Sequence, residues 1–119
     1  TGKFTKETTF DENDHRNFNQ DGEVFNVGET FAGLPFKKGV ELTNELKKMC
    51  PENMSLAEMS LRWILDHDEV TTIIPGASSA KHIEQNAKVS EMSALPEELH
   101  KKLTVFYKEH VKEHIRGKY

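Results

Sequence analysis

The 119-residue sequence has a single cysteine, Cys50, and no apolar run approaching the roughly 20 residues that a membrane-spanning helix needs. One thiol excludes a disulfide within the chain, so nothing in its chemistry asks for an oxidising compartment, and a reducing cytoplasm is the expected setting. Positive charge is also in short supply: 16 Lys and Arg stand against 20 Asp and Glu, for a net charge of −4. That balance excludes the broad basic face with which general nucleic-acid binders and anionic-membrane binders neutralise phosphates, and leaves room for one local phosphate site. Apolar residues make up 35% and charged residues 30%, so a sizeable core must come from a few concentrated segments. The length fits one such core rather than two.

What is present is unevenly distributed. Residues 1–35 are rich in Asn, Asp, Glu, Thr and Gly, with isolated Phe4, Phe10, Phe18, Phe25 and Phe31 and no sustained helical or strand period. This reads as one long loop, with the spaced phenylalanines favouring a lid that packs on something over an unstructured tail. Residues 36–119 hold the regular structure. Leu42, Leu46 and Met49 form the stripe of an amphipathic helix that Pro51 closes. Ser55 and Glu58 have the form of a capping box opening a second helix, with Leu56, Met59, Trp63 and Ile64 on one face, widened by Leu61 and Leu65. A third helix is expected from Ser78 or Ser79 to about Glu91, with Ile83 and Ala87 inward. Pro96, Glu97 and Glu98, followed by Leu99, Leu103, Phe106 and His110 at helical spacing, define a last one.

Between the second and third helices, Val70, Thr71, Thr72, Ile73 and Ile74 are β-branched throughout and bounded by Pro75 and Gly76, which predicts a strand buried on both faces. It is the one clear strand, and a lone strand leaves its N–H and C=O groups without partners. Its pairing is expected with an undetected strand in residues 1–35, with another chain, or with upstream neighbours. The last is the simplest for a helix-strand-helix unit of parallel type.

The run Ile74-Pro75-Gly76-Ala77-Ser78-Ser79 passes directly from that strand into a helix, and its chemistry suits an anion. Gly76 lets a ligand approach the backbone, the serine hydroxyls can donate to phosphate oxygens, and free N–H groups at a helix start favour negative charge. In parallel α/β proteins ligands collect at the carboxyl ends of strands, and in βα-barrels phosphates sit near the last ones. An ordinary strand-turn-helix connection with a serine cap has the same local sequence, so spacing alone does not decide between them.

With His82, Gln85 and Asn86 added, this run resembles the last-strand cofactor motif of the aldo-keto reductases, most closely the branch that includes potassium-channel β subunits. The resemblance implies a (β/α)8 TIM barrel, of which this chain would be the C-terminal portion, and an NADPH cofactor. Gly76, Ala77, Ser78 and Ser79 are then expected around the adenosine 2′-phosphate, His82 beside it, and Gln85 and Asn86 at the adenine. Two positions depart from the family pattern, where a glutamine or arginine commonly stands for His82 and a glutamate for Gln85. A histidine still donates to phosphate but carries full charge only below about pH 6.5. Gln85 loses an acceptor and gains donors.

The similarity continues along the chain. Thr1-Gly2-Lys3-Phe4 looks like the end of the family's seventh strand, so Lys3 is expected near the cofactor pyrophosphate, with Arg16 adding a second positive charge from the same loop. The helix around Leu61-Arg62-Trp63-Ile64-Leu65 and the closing helix match as well. The family's catalytic tyrosine, aspartate, lysine and histidine belong to earlier strands and are not assigned to Tyr107, Tyr119 or any other residue here.

Other motifs carry less. His110 and His114 with Glu113 have the H-x-x-E-H form, yet no third zinc ligand follows, and histidines at a helix end are already favoured by the dipole. Asn17, Asn19, Asp21 and Gly22 begin like a calcium loop, but Gly28 stands where a bidentate glutamate is required. Gly28 and Gly33 are followed by Leu34-Pro35 rather than Lys-Ser, so they form no triphosphate loop. Trp63 and the phenylalanines are expected in core and lid packing.

The resulting expectation is the NADPH-binding C-terminal portion of a reductase that converts aldehydes or ketones to alcohols by hydride transfer, inactive by itself. Its expected partners are NADPH and, for the parent, a small carbonyl substrate, with no nucleic acid and no membrane. An incomplete barrel would self-associate through its exposed edges. The alternative is a non-catalytic helical interaction module derived from a reductase.

Overall fold

The computed structural model describes residues 2–18 and 34–115, apart from the side chains of His15 and Phe18. Phe25 and Phe31 of the expected lid, Asn19, Asp21, Gly22 and Gly28 of the calcium-like run, Gly33, and Tyr119 lie outside the described residues. The described residues hold five α-helices: α1 His15–Phe18, a short helix within the expected loop, and α2 Phe36–Met49, α3 Leu56–Leu65, α4 Ala80–Lys88 and α5 Glu97–Phe106, which follow the helical periods of the sequence. A 3₁₀ turn, Val89–Glu91, continues α4, and a π-helical turn, Tyr107–Val111, continues α5. Among the described residues no helix is long and apolar enough to cross a membrane.

Local chemistry sets the helix starts. At α3 the capping box forms in full: Ser55 Oγ accepts from the Glu58 N–H at 3.2 Å, and the Ser55 N–H donates to Glu58 Oε2 at 2.7 Å. Hydrogen bonding to the Ser55 side chain and to the Ser55 N–H holds the Glu58 carboxyl below its ordinary range. Pro96 stands immediately before α5, where its carbonyl accepts the Leu99 and His100 N–H groups at 2.9 and 3.2 Å.

The chain forms two compact units, Met49–Lys102 in one, and Gly2–Lys48 with Leu103–Tyr119 in the other. In the first, Met59, Val89, Leu95 and Leu99 are buried. Here the 3₁₀ turn packs against both α3 and α4, which is why Val89 is fully buried. In the second, the buried apolar residues are Phe36, Val40, Leu42 and Phe106. Phe4, Phe10 and Phe36 interlock there with ring centroids 5.3 to 5.9 Å apart. Phe4 and Phe10 pack on the first turn of α2 through Phe36.

Two expectations need correction. Residues 70–74 carry no regular structure: among the described residues no strand forms, since a strand exists only through inter-strand hydrogen bonds and this segment has no ladder partner. Burial on both faces fails with it, since Ile74 is 95% exposed. Apolar helix positions are also less covered than their periodicity suggests, with Trp63 at 38% and Ile83 at 61% exposure. A helical stripe shows which face seeks cover, and periodicity does not say what supplies it.

Candidate functional site

The turn into α4 is built by its two serines, which divide the work. Ser79 is the cap: its backbone is extended (φ −157°, ψ 158°) and its Oγ accepts from the His82 N–H at 3.3 Å. Ser78 is thereby released, and its Oγ lies 3.1 Å from His82 Nδ1. The N–H groups of Ala80 and Lys81, in the first turn, have no acceptor within the helix and point out of its N-terminus. Gly76 does not adopt a positive φ, and a Cβ there would meet nothing within 4 Å. No contact among the described residues requires glycine at this position.

Thr71, Thr72, Ile73, Pro75 and Ala77 line one side of an open groove of about 440 Å³. Leu65 of α3 and Ile83, Asn86 and Ala87 of α4 form its other wall. Asn86 thus contributes a polar amide to a mainly apolar groove. Gly76, Ala77, Ser78, Ser79 and Gln85 are exposed, while His82 and Asn86 are half-buried. The structure therefore brings seven of the nine expected site residues onto one turn and the helix it opens.

Lys3 and Arg16 belong to the other unit. Lys3 is exposed. Arg16 is heavily engaged: its guanidinium makes a two-point pair with Asp14, with Nε 2.8 Å from Oδ1 and Nη2 on Oδ2. It also lies over the Phe10 ring at 4.4 Å and the Phe4 ring at 5.6 Å. The Asp14 hydrogen bond holds the guanidinium above its ordinary pKa. Sequence reading missed this local competition, although the Asp14-His15-Arg16 spacing carries the signal.

A second constellation was only partly legible in the sequence. Asp66 caps the C-terminus of α3 with its side chain only 5% exposed. It accepts from Arg62 Nε at 2.8 Å and from the Leu95 N–H at 2.9 Å, and lies 2.9 Å from His100 Nε2. Arg62 Nη1 reaches on to the carbonyls of Val89 and Met92, both at 3.3 Å. Burial pushes the Asp66 carboxyl up, but the Leu95 N–H, His100 and Arg62 together outweigh it and hold the group below its ordinary range. The knot ties α3, the 3₁₀ turn and α5 together beside the groove. The Arg62-Asp66 spacing of four was readable as a helical ion pair, whereas Leu95 and His100 are contributed by distant sequence.

A model of the aldo/keto reductase family matches residues 1–108. Among curated proteins, the L-glyceraldehyde 3-phosphate reductase of Escherichia coli (strain K12) is 32% identical over 76 residues, a match covering 58% of this chain. It covers 21% of that protein, so the chain spans about a fifth of the length of the curated relative it matches. No solved structure matches.

Proposed function

The chain belongs to the aldo/keto reductase family, and from that premise we propose that it is the NADP-binding C-terminal portion of a reductase acting on aldehydes or ketones. Family membership implies a (β/α)8 barrel, in which residues 70–74 would be the last strand and α4 the helix after it. The resemblance of the motif to the branch that includes potassium-channel β subunits is what supports a place in that branch. When bound, the cofactor supplies a hydride to the carbonyl carbon. This chain's own residues act at the other end of the dinucleotide.

The observation that carries the reading is Gly76. Its missing side chain serves no packing need among the described residues, and it stands just before a helix N-terminus flanked by two serine hydroxyls. That arrangement suits a phosphate: the backbone can be approached closely, Ser78 can donate to an oxygen, and the Ala80 and Lys81 N–H groups add the favourable end of the helix dipole. His82 would donate beside them, while Gln85 and Asn86 would meet the adenine. Lys3 would approach the pyrophosphate. Arg16 would join it only by exchanging Asp14 for the ligand. No residue of the chain is assigned to proton transfer, so the chain alone is catalytically silent.

Isothermal titration calorimetry of the chain with NADPH, NADH and adenosine 2′,5′-bisphosphate tests the proposal. Saturable binding that prefers the two ligands carrying a 2′-phosphate is expected. Equal affinity for NADH and NADPH would sink the assignment of residues 76–82 to that phosphate.

A further inference from the structure

The bond between Ser78 and His82 limits how many donors this turn can offer a ligand. Ser78 Oγ lies 3.1 Å from His82 Nδ1, while the His82 backbone N–H is taken by Ser79 Oγ. A hydroxyl and a neutral imidazole carry one O–H and one N–H between them, and their own bond uses one of the two. With Nδ1 bare, Ser78 donates to it and the Nε2–H alone remains. With the hydrogen on Nδ1, Ser78 keeps its O–H and Nε2 presents a lone pair. A protonated ring removes the conflict: Nδ1–H donates to Ser78 Oγ, leaving both the Ser78 O–H and the Nε2–H for a ligand. The charged neighbours are Lys81, Glu84 and Lys88 on α4 and Glu91 on the 3₁₀ turn packed against it, all exposed, and the groove beside α4 is lined by uncharged residues. Among the described residues no carboxylate pairs with His82, so the counter-charge for a protonated ring has to come from a ligand.

We propose that the start of α4 binds its phosphate together with a proton, which the His82 ring takes from solvent as the ligand arrives. The inference rests on the assignment of residues 76–82 to the adenosine 2′-phosphate. Binding changes two groups at once. The ring gains a positive charge, and Ser78 turns from donor to acceptor toward it, releasing its hydroxyl hydrogen for a phosphate oxygen beside the Ala80 and Lys81 N–H groups. A dinucleotide without the 2′-phosphate brings no such anion and leaves the ring neutral. Because the bound form holds the extra proton, affinity falls as the pH rises above the range in which a free imidazole titrates, about pH 6.5. The preference for NADPH over NADH is thereby set by pH and is weakest in alkaline solution.

Calorimetric titration of the chain with adenosine 2′,5′-bisphosphate, repeated in buffers of different ionisation enthalpy, counts the protons. At about pH 7.5 a phosphate monoester, whose second pKa is near 6, is already a dianion, so a proton taken up there goes to the protein. Uptake of more than about half a proton per ligand is expected, and affinity should fall by up to about tenfold between about pH 7 and 8, the limit for one linked proton. NADH, which has no phosphate monoester, should take up none. His82→Gln keeps a donor but cannot accept the proton, so uptake should vanish and affinity should hold within about twofold over the same interval. Nitrogen-15 resonances of the His82 ring, identified by their loss in that variant, should pass from one bare nitrogen to two protonated ones on saturation. Preference for the 2′-phosphate with no proton taken up, or uptake that persists in His82→Gln, would overturn the inference and leave the phosphate assignment standing. Absence of that preference even at about pH 6.5, where an imidazole is half charged, would remove both.

Discussion

Ser78 and Ser79 are adjacent and chemically identical, yet only one of them holds the helix. Ser79 satisfies the His82 N–H, so Ser79→Ala should cost about 1 kcal/mol, as loss of a cap does. Ser78 is exposed and bonded only to a side chain, so Ser78→Ala should leave the urea midpoint where it is while weakening adenosine 2′,5′-bisphosphate. Gly76 gives the complementary test. With nothing within 4 Å of a Cβ and no positive φ, Gly76→Val should change stability by less than about 0.5 kcal/mol. The added bulk stands where the ligand backbone contact is proposed, so affinity should fall at least about tenfold, or about 1.4 kcal/mol. A valine variant that binds as well as the parent would remove the reason for the glycine and weaken the phosphate assignment.

At the level of the element, the Asp66 knot decides whether α3, the 3₁₀ turn and α5 stay together. Removing the partner of a buried carboxylate costs about 3–5 kcal/mol, a large share of the roughly 5–15 kcal/mol that holds an ordinary domain. Arg62→Ala should therefore unfold the Met49–Lys102 unit in conditions where the parent is folded, visible as a collapse of its share of the helical circular dichroism. The sign of the pH dependence follows from the lowered Asp66 pKa. A carboxyl that is a stronger acid in the folded state contributes stability above its unfolded value of about 3.9, and that contribution is lost as the pH falls through the folded value. The urea midpoint should thus drop below about pH 4, and Asp66→Asn, less stable at neutral pH, should lose part of that acid slope. An unchanged slope would mean that the carboxylate is not the group being titrated.

The same scale shows what sequence could deliver. The helices, the Ser55–Glu58 box and the Ile74 to Asn86 run were legible because each is written in neighbouring residues. The partners of Asp66 were not, since Leu95 and His100 reach it from 29 and 34 positions away. Residues 70–74 mark the intermediate case: their β-branched composition is a local property, while a strand is a relation between two segments, and composition names only one of them. Arg16 shows the opposite failure, a local pair with Asp14 overlooked in favour of a remote ligand.

For the whole molecule, the division of the core is the governing fact. The buried apolar residues described fall four to each unit, Met59, Val89, Leu95 and Leu99 in one and Phe36, Val40, Leu42 and Phe106 in the other. All-or-none unfolding requires that losing one part removes the support of the rest, and each unit is described with its own set of buried apolar residues. Trp63 is the only tryptophan and lies in the Met49–Lys102 unit, whereas helical circular dichroism reports on both. Urea denaturation followed by the two signals should therefore give midpoints that do not coincide, with Arg62→Ala moving the fluorescence transition and only the Met49–Lys102 share of the dichroism. Superimposable transitions in the parent chain, shifting together in the variant, would show instead that the two units unfold as one.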